Sequence, residues 1–280
     1  MNRLFSKLWP HVVLILASIV AIYPVLWVVK MALSSSQHLD ASPSPIPKEV
    51  SFANFAAVTG TLDSNGGWLF GRQLFNSLAV ASATTIIGLL LACTAAYAFS
   101  RFRFPGREAG MGALLLTQLF PGVVMLIAMY RILNAMHLLN SLTGLTVVYA
   151  STSVPFSTWM LKGYFDTIPK EMEESAYVDG ASRWTTFWRV VLPLTRPALV
   201  VTALFSFMTA WNEFILANTL MSDERLYTLP VALQQQVGEF HTNWGQFAAG
   251  AILTSAPVMM LFYALQKHLV GGLTSGGVKG

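Results

Sequence analysis

The sequence predicts an all-α integral membrane protein with six transmembrane helices, and three observations carry that expectation. Of its 280 residues, 54% are hydrophobic and only 11% are charged, whereas ordinary soluble domains carry about 25% charged residues. Six stretches near bilayer length, uncharged but for Glu213 in the fifth, recur along the chain, and the lysines and arginines between them fall unequally into alternating loops. Too few charges remain to cover a soluble globule.

The stretches run from Val12 to Val29, Leu74 to Ser100, Ala109 to Tyr130, about Ser141 to Leu161, Pro197 to about Leu220, and Gln246 to Gln266. As helices rising about 1.5 Å per residue, each has the length to cross about 30 Å of hydrocarbon. The runs are continuous and lack the two-residue alternation of lipid-facing barrel strands. Arg3 and Lys7 precede the first run in the layout of a secretory signal, but its 18 residues exceed the about 7–15 of a signal core. It reads as a retained first helix. Internal Pro24, Pro121, Pro155 and Pro257 each remove a backbone donor, so kinks are expected.

With an even number of spans both termini share one side. Arg3, Lys7, Arg101, Arg103, Arg107, Lys162, Lys170, Arg183, Arg189, Arg196, Lys267 and Lys279 fall there, 12 of the 17 Lys and Arg; Lys30, Lys48, Arg72, Arg131 and Arg225 fall on the other. Cytoplasmic loops retain positive residues, so both termini are expected in the cytoplasm. The net charge of +4 then has a topological reason and does not call for nucleic acid. Three segments are left outside: 34–72, whose prolines and glycines favour turns, 131–140 and 221–245. The halves of the chain show no convincing repeat, unlike many secondary transporters.

The longest cytoplasmic segment, Lys162 to Arg196, carries the strongest local signals. Glu171 to Val178 holds good helix formers with Pro169 suited to the start, and Asp179-Gly180 is a stop, because glycine accepts the left-handed conformation there. A second short helix is expected from Ala181 to Val191, ending at Pro193. Two short helices meeting at a glycine give a compact knob, with Tyr177, Phe187 and Trp188 available for packing.

Glu174-Ser175-Ala176, then three residues, Gly180, nine residues, Val190, one residue and Leu192-Pro193 resembles the EAA motif of ABC importer permeases. Ser175 stands where that motif has alanine, and Val190 stands for its isoleucine. Tyr97-Ala98-Phe99 to Phe104-Pro105-Gly106, Ala210-Trp211-Asn212-Glu213 and the ending Gly272 to Gly280 are also similar to permease subunits of maltose-type sugar importers. The resemblance covers nearly the whole chain. It implies a type I ABC importer permease fold: one transmembrane domain over 1–280, a cytoplasmic coupling loop at 165–195 and a cytoplasmic tail at 271–280.

It also implies partners: a second permease subunit, two ATPase subunits that bind ATP and Mg, an extracytoplasmic sugar-binding protein, and the lipid of a prokaryotic plasma membrane, the inner one in a Gram-negative cell. Glu174, Ser175, Ala176, Asp179, Gly180, Leu192 and Pro193 would meet the ATPase subunit. Thr274, Gly277 and Lys279 would reach between the ATPase subunits from the tail. Trp211, Asn212 and Glu213 are candidates to line or gate the passage; for Glu213 a tie to another helix is an equal alternative, since an acid at membrane depth needs a partner or a wet cavity. Gln236, Gly238, Glu239, Phe240, His241 and Asn243 would contact the binding protein, the alternative being a plain solvated connector. Alternating access driven by the partner ATPase is the expected mechanism, with maltose or a maltodextrin first among the sugars. An ion-coupled carrier or a scaffold without a conduit are the rivals, and intramembrane ionisable residues supply little for the former.

The remaining motifs carry no chemistry. Gly272 to Gly280 lacks the register of a phosphate-binding loop, G-x-x-x-x-G-K-[ST], because Val278 follows Gly277, so no cofactor is expected in this chain. His11, His38, His137, His241 and His268 lack metal-site spacing, and Cys93, the one cysteine, builds neither a disulfide nor a thiolate cage within the chain. Neither a catalytic centre nor a metal site is assigned. Trp68, Phe70, Trp159, Trp211 and Trp244 lie near predicted span ends, where aromatic rings commonly anchor a bundle.

Overall fold

The structure, a computed structural model, describes residues 2–37, 42–47, 49–238 and 242–275, with side chains described between residues 8 and 266. Among these residues every regular element is helical, and the only strand-like pairings are two isolated bridges, Leu62 with Trp68 and Val237 with Thr242. In chain order the helices are α1 (Asn2–Ala32), α2 (Ala53–Thr59), α3 (Leu69–Arg101), α4 (Arg107–Thr117), α5 (Gly122–Ala135), α6 (Leu142–Phe165), α7 (Glu171–Val178), α8 (Arg183–Leu194), α9 (Arg196–Asn212), α10 (Ile215–Leu220), α11 (Leu229–Gln234) and α12 (Trp244–Ser275).

Within the described residues three helices are long and apolar enough to cross a membrane, namely Leu8–Ala32, Leu69–Arg101 and Trp244–Gln266. The number rises to five if α4 with α5 and α8 with α9, bent by 100° and 77°, each count as one span. The continuous run expected over 109–130 is thus divided. Pro121 adopts an extended ψ of 127° at the start of α5, and a proline disfavours helical geometry in the residue before it. The run expected over 197–220 is also divided, because Glu213 turns extended after Asn212. The stretch expected as the fourth span is a helix, α6, 24 residues long, but it is not among the helices apolar enough to cross a membrane. It is rich in serine and threonine, and many of its residues, from Leu145 and Tyr149 to Ser157, Thr158 and Phe165, are buried against protein, where hydroxyls can bond to carbonyls one turn back.

The chain divides into two compact units. The first comprises Met1–Arg72 and Val231–Pro257. Asn54, 1% exposed, organises it: its amide donates to the carbonyls of Ala32 and Ser34 at the end of α1, at 3.1 and 2.7 Å, and accepts from Gln37 at 2.6 Å. A Cβ at Gly245 would lie 2.6 Å from the Asn54 side chain, so the first turn of α12 approaches only because residue 245 is glycine. Met31, Ala32, Ala248 and Ala249 pack below this node. Most of α1, from Leu8 to Leu26, keeps its side chains exposed, as expected of a helix whose neighbours are lipid or another chain.

The second unit comprises Gln73–Pro230 and Val258–Gly280. Its core joins Ala92, Ala96 and Tyr97 of α3, Leu161 and Phe165 of α6, Phe187 and Val191 of α8 and Ala198 of α9. Small residues let these helices approach, as membrane interfaces require: a Cβ on Gly88 would lie 2.9 Å from Ser153 Oγ. At the other end of α3, Gln73 donates to the Glu224 carbonyl (3.1 Å) and Asn76 to those of Arg225 (2.9 Å) and Tyr227 (3.1 Å), while Ser77 Oγ accepts from Leu229 N–H. Trp211 and Phe70 are buried, whereas Trp68 and Trp159 are exposed, so the expected aromatic anchors do not form one class.

Candidate functional site

Helix α7 spans Glu171–Val178, the bounds its composition predicts, with Glu171, Glu173 and Glu174 in the first turn where the helix dipole favours anions. Gly180 has φ of 84°. Its N–H bonds to the Tyr177 carbonyl at 3.0 Å and that of Ala181 to the Ala176 carbonyl at 2.9 Å, which together make a Schellman stop. Ser182 then caps α8, accepting from Thr185 N–H at 3.2 Å. The second helix therefore begins at Arg183 and, contrary to expectation, passes Pro193 to reach Leu194. The reason lies in the wide π turn Phe187–Val191, where Leu192 N–H bonds back to the Phe187 carbonyl; a wider turn tolerates the donor that proline lacks.

This hairpin has an inner and an outer face. Phe187 is buried 4.8 Å, ring to ring, from Tyr97 of α3. Glu174, Ser175, Asp179 and Gly180 are exposed, Ala176, Leu192 and Pro193 half-buried. On the same hairpin Met172, Val178 and Trp184 are 44%, 88% and 64% exposed, an apolar surface of the kind that marks an interaction site.

The inner face carries a feature that the motif does not disclose. Glu173 is buried; its Oε1 accepts from Arg101 Nε at 2.5 Å and its Oε2 from the Tyr97 hydroxyl at 2.8 Å. Both charged side chains are sheltered, 7% and 6% exposed. Arg101 also donates to the Ile168 carbonyl (3.0 Å) and to Ser100 Oγ (3.1 Å), and Ser100 donates to Asp166 Oδ1 (2.6 Å). Burial pushes the Asp166 carboxyl up, but hydrogen bonds from Lys162 and Ser100 and the charges of Lys162 and Arg101 outweigh it, so the group sits below its ordinary value. Its contribution to stability is present above the ordinary carboxylate range and is lost as pH falls through the lowered value. Sequence singles out Glu174; Glu173 becomes legible only through a partner 72 positions away.

Glu213 joins two helices. Its Oε2 accepts from the Tyr149 hydroxyl of α6, and its carboxylate caps α10 by accepting from Leu216 N–H (2.8 Å) and Ala217 N–H (3.1 Å). Trp211 is buried and stacked on Phe207 at 5.6 Å, while Asn212 is exposed and bonds back to the Met208 carbonyl. Gln236 is half-buried, and Gly238 and Asn243 are exposed beside the Val237–Thr242 bridge. Glu239, Phe240 and His241 lie outside the described residues, as do Gly277 and Lys279; Thr274 is described only as backbone of α12.

Residues 84–275 match the model of a family described as "Binding-protein-dependent transport system inner membrane component". The chain is 36% identical over 280 residues to the diacetylchitobiose uptake system permease protein DasC of Streptomyces coelicolor, covering 100% of this chain and 99% of that one. It is 36% identical over 282 residues to the maltose/maltodextrin transport system permease protein MalG of Escherichia coli K12, covering 96% and 95%. Among solved structures, a bacterial ABC transporter involved in the import of the acidic polysaccharide alginate superposes with a TM-score of 0.77 over 95% of this chain and 96% of the matched one, at 22% identity, a likeness of fold. With a family match across α3 to α12 and full-length relatives above 30% identity, the chain belongs to the binding-protein-dependent transport system inner membrane components.

Proposed function

We propose that this chain is one permease subunit of an ATP-driven importer of di- or oligosaccharides, maltodextrins first among them. Six spans, with α4–α5 as a bent crossing, α6 as the buried one and α9 with α10 as the fifth, set it in a prokaryotic plasma membrane with both termini in the cytoplasm. The hairpin α7–α8 carries the reading: a rigid knob, stopped by a left-handed glycine, that turns an apolar outer face and the Glu174 carboxylate away from the bundle. That surface suits a cleft with basic residues on an ATPase subunit, which holds ATP and Mg. The sugar class rests on the relatives, which are named for diacetylchitobiose and maltodextrin uptake.

In this reading ATP binding closes the ATPase dimer, the hairpin moves with it, and the bundle opens outward to receive sugar from an external binding protein; hydrolysis resets the cycle. The exposed side of α1 meets lipid and the second permease, and Thr274, Gly277 and Lys279 extend toward the ATPase subunits. Asn212, exposed beyond the buried Trp211, lines the passage. The three hydrogen bonds to Glu213 support its reading as a tie between α6, α9 and α10.

Glu174→Lys is expected to weaken ATPase-subunit binding by about tenfold or more, since a basic cleft would face like charge in place of an acceptor. Co-purification measures this directly, and a wild-type yield of ATPase subunit with normal transport would remove the contact. On the outer side, Gln236, Gly238, Glu239, Phe240, His241 and Asn243 contact the binding protein. Exchanging residues 238–242 for a Gly/Ser segment of equal length preserves the span spacing. Uptake at limiting binding-protein concentration is expected to fall while assembly with the ATPase subunit is kept; unchanged uptake would leave the segment a plain connector.

A further inference from the structure

We propose that Arg101, Glu173 and Tyr97 form the positioning node through which movement of the α7–α8 hairpin enters α3; the inference rests on the coupling role proposed above for that hairpin. The hairpin's outer face touches a partner, so its inner face must hand the displacement to the bundle. Apolar packing alone, such as Phe187 on Tyr97, resists separation but tolerates sliding, because dispersion contacts have little directionality. A sheltered ion pair in which each guanidinium nitrogen already holds a hydrogen bond does not slide without leaving buried charge unpaired.

The geometry of the node fits that task. Arg101 is the last residue of α3 and grips the α6–α7 connection at two places, the Ile168 carbonyl ahead of α7 and the Glu173 carboxylate inside it. Tyr97, one turn earlier on α3, bonds the second oxygen of the same carboxylate. Three points on α7 and its approach are thereby fixed to one end of one helix. From there α3 runs without proline to Gln73, Asn76 and Ser77, which hold the 224–229 segment at its other end. Twenty-five residues of helix separate Asn76 from Arg101, about 38 Å at 1.5 Å per residue. Glu174, one position on from Glu173, points outward, so neighbouring carboxylates serve opposite faces: one for the partner, one for the bundle.

The test uses the assembled transporter in proteoliposomes and reads sugar moved per ATP hydrolysed, a ratio that fewer folded complexes would not change. Arg101→Met with Glu173→Met replaces the pair by apolar side chains of similar size, an exchange that buried ion pairs generally survive as folded protein. Arg101→Lys keeps the charge but not the planar fork that reaches Glu173, Ser100 and the Ile168 carbonyl together. Both variants are expected to bind the ATPase subunits at wild-type yield and to hydrolyse ATP. Sugar moved per ATP should fall by at least about fivefold, the lower end of the range for coupling between sites. Wild-type stoichiometry in the Met/Met variant would overturn the proposal, leaving the pair a packing element. Loss of ATPase-subunit binding in the Met/Met variant would overturn it equally, because the node would then shape the docking surface. Failure of the unmodified chain to bind ATPase subunits would instead sink the coupling role of the hairpin itself.

Discussion

Gly180→Val is expected to abolish most transport while leaving membrane insertion intact. Gly180 has φ of 84°, and nothing lies within 4 Å of where its Cβ would be, so the substitution meets no neighbour. The cost is conformational: a β-branched residue in the left-handed region is a severe outlier, on the order of 1–3 kcal/mol. Relief of that strain breaks the Schellman bonds of Gly180 and Ala181 and changes the angle between α7 and α8. The residue is exposed and the core lies on the opposite face, so the bundle should fold. Reconstituted complexes are expected to lose about tenfold or more of sugar-stimulated transport, whereas Gly180→Asn, which tolerates the left-handed region, retains most of it. Equal transport by the valine and wild-type complexes would show that the turn does not set coupling.

Glu213→Leu is expected to cost the most stability of any single change considered. It leaves the Tyr149 hydroxyl without its acceptor in a residue 2% exposed, and it orphans Leu216 and Ala217 N–H at the start of α10. Each unsatisfied buried group costs about 1–3 kcal/mol, so the loss should reach several kcal/mol and show as a lower melting temperature and a poor yield of monodisperse protein. Glu213→Gln separates the two roles considered for this residue. A tie needs acceptors: the single amide oxygen can take over the bonds from Tyr149 and Ala217 while the NH2 is left against Leu216 N–H, so melting and transport should recover together, in part. A passage that depends on the charge predicts the reverse: normal melting with lost transport.

What the sequence determined by itself is local or compositional. Helical class follows from apolar runs too long to leave backbone groups unpaired in lipid. The bounds of α7 and the left-handed Gly180 follow from propensities acting within a few residues. The motif likewise placed Glu174, Ser175, Asp179 and Gly180 together on a surface segment, where the structure leaves all four exposed.

Tertiary structure decided everything that depends on distant partners. Pro121 announced a kink, whereas the structure has two separate helices bent by 100° with Pro121 extended between them. Pro193 announced a stop, yet a π turn carried α8 past it to Leu194. Hydropathy drew one run through Glu213, whose carboxylate instead caps a new helix and binds Tyr149, 64 positions away. The division of labour between Glu173 and Glu174 is the sharpest case. Identical side chains one position apart differ by about 100° around a helix, and only the packing of α7 on α3 determines which is buried against Arg101 and which is left exposed.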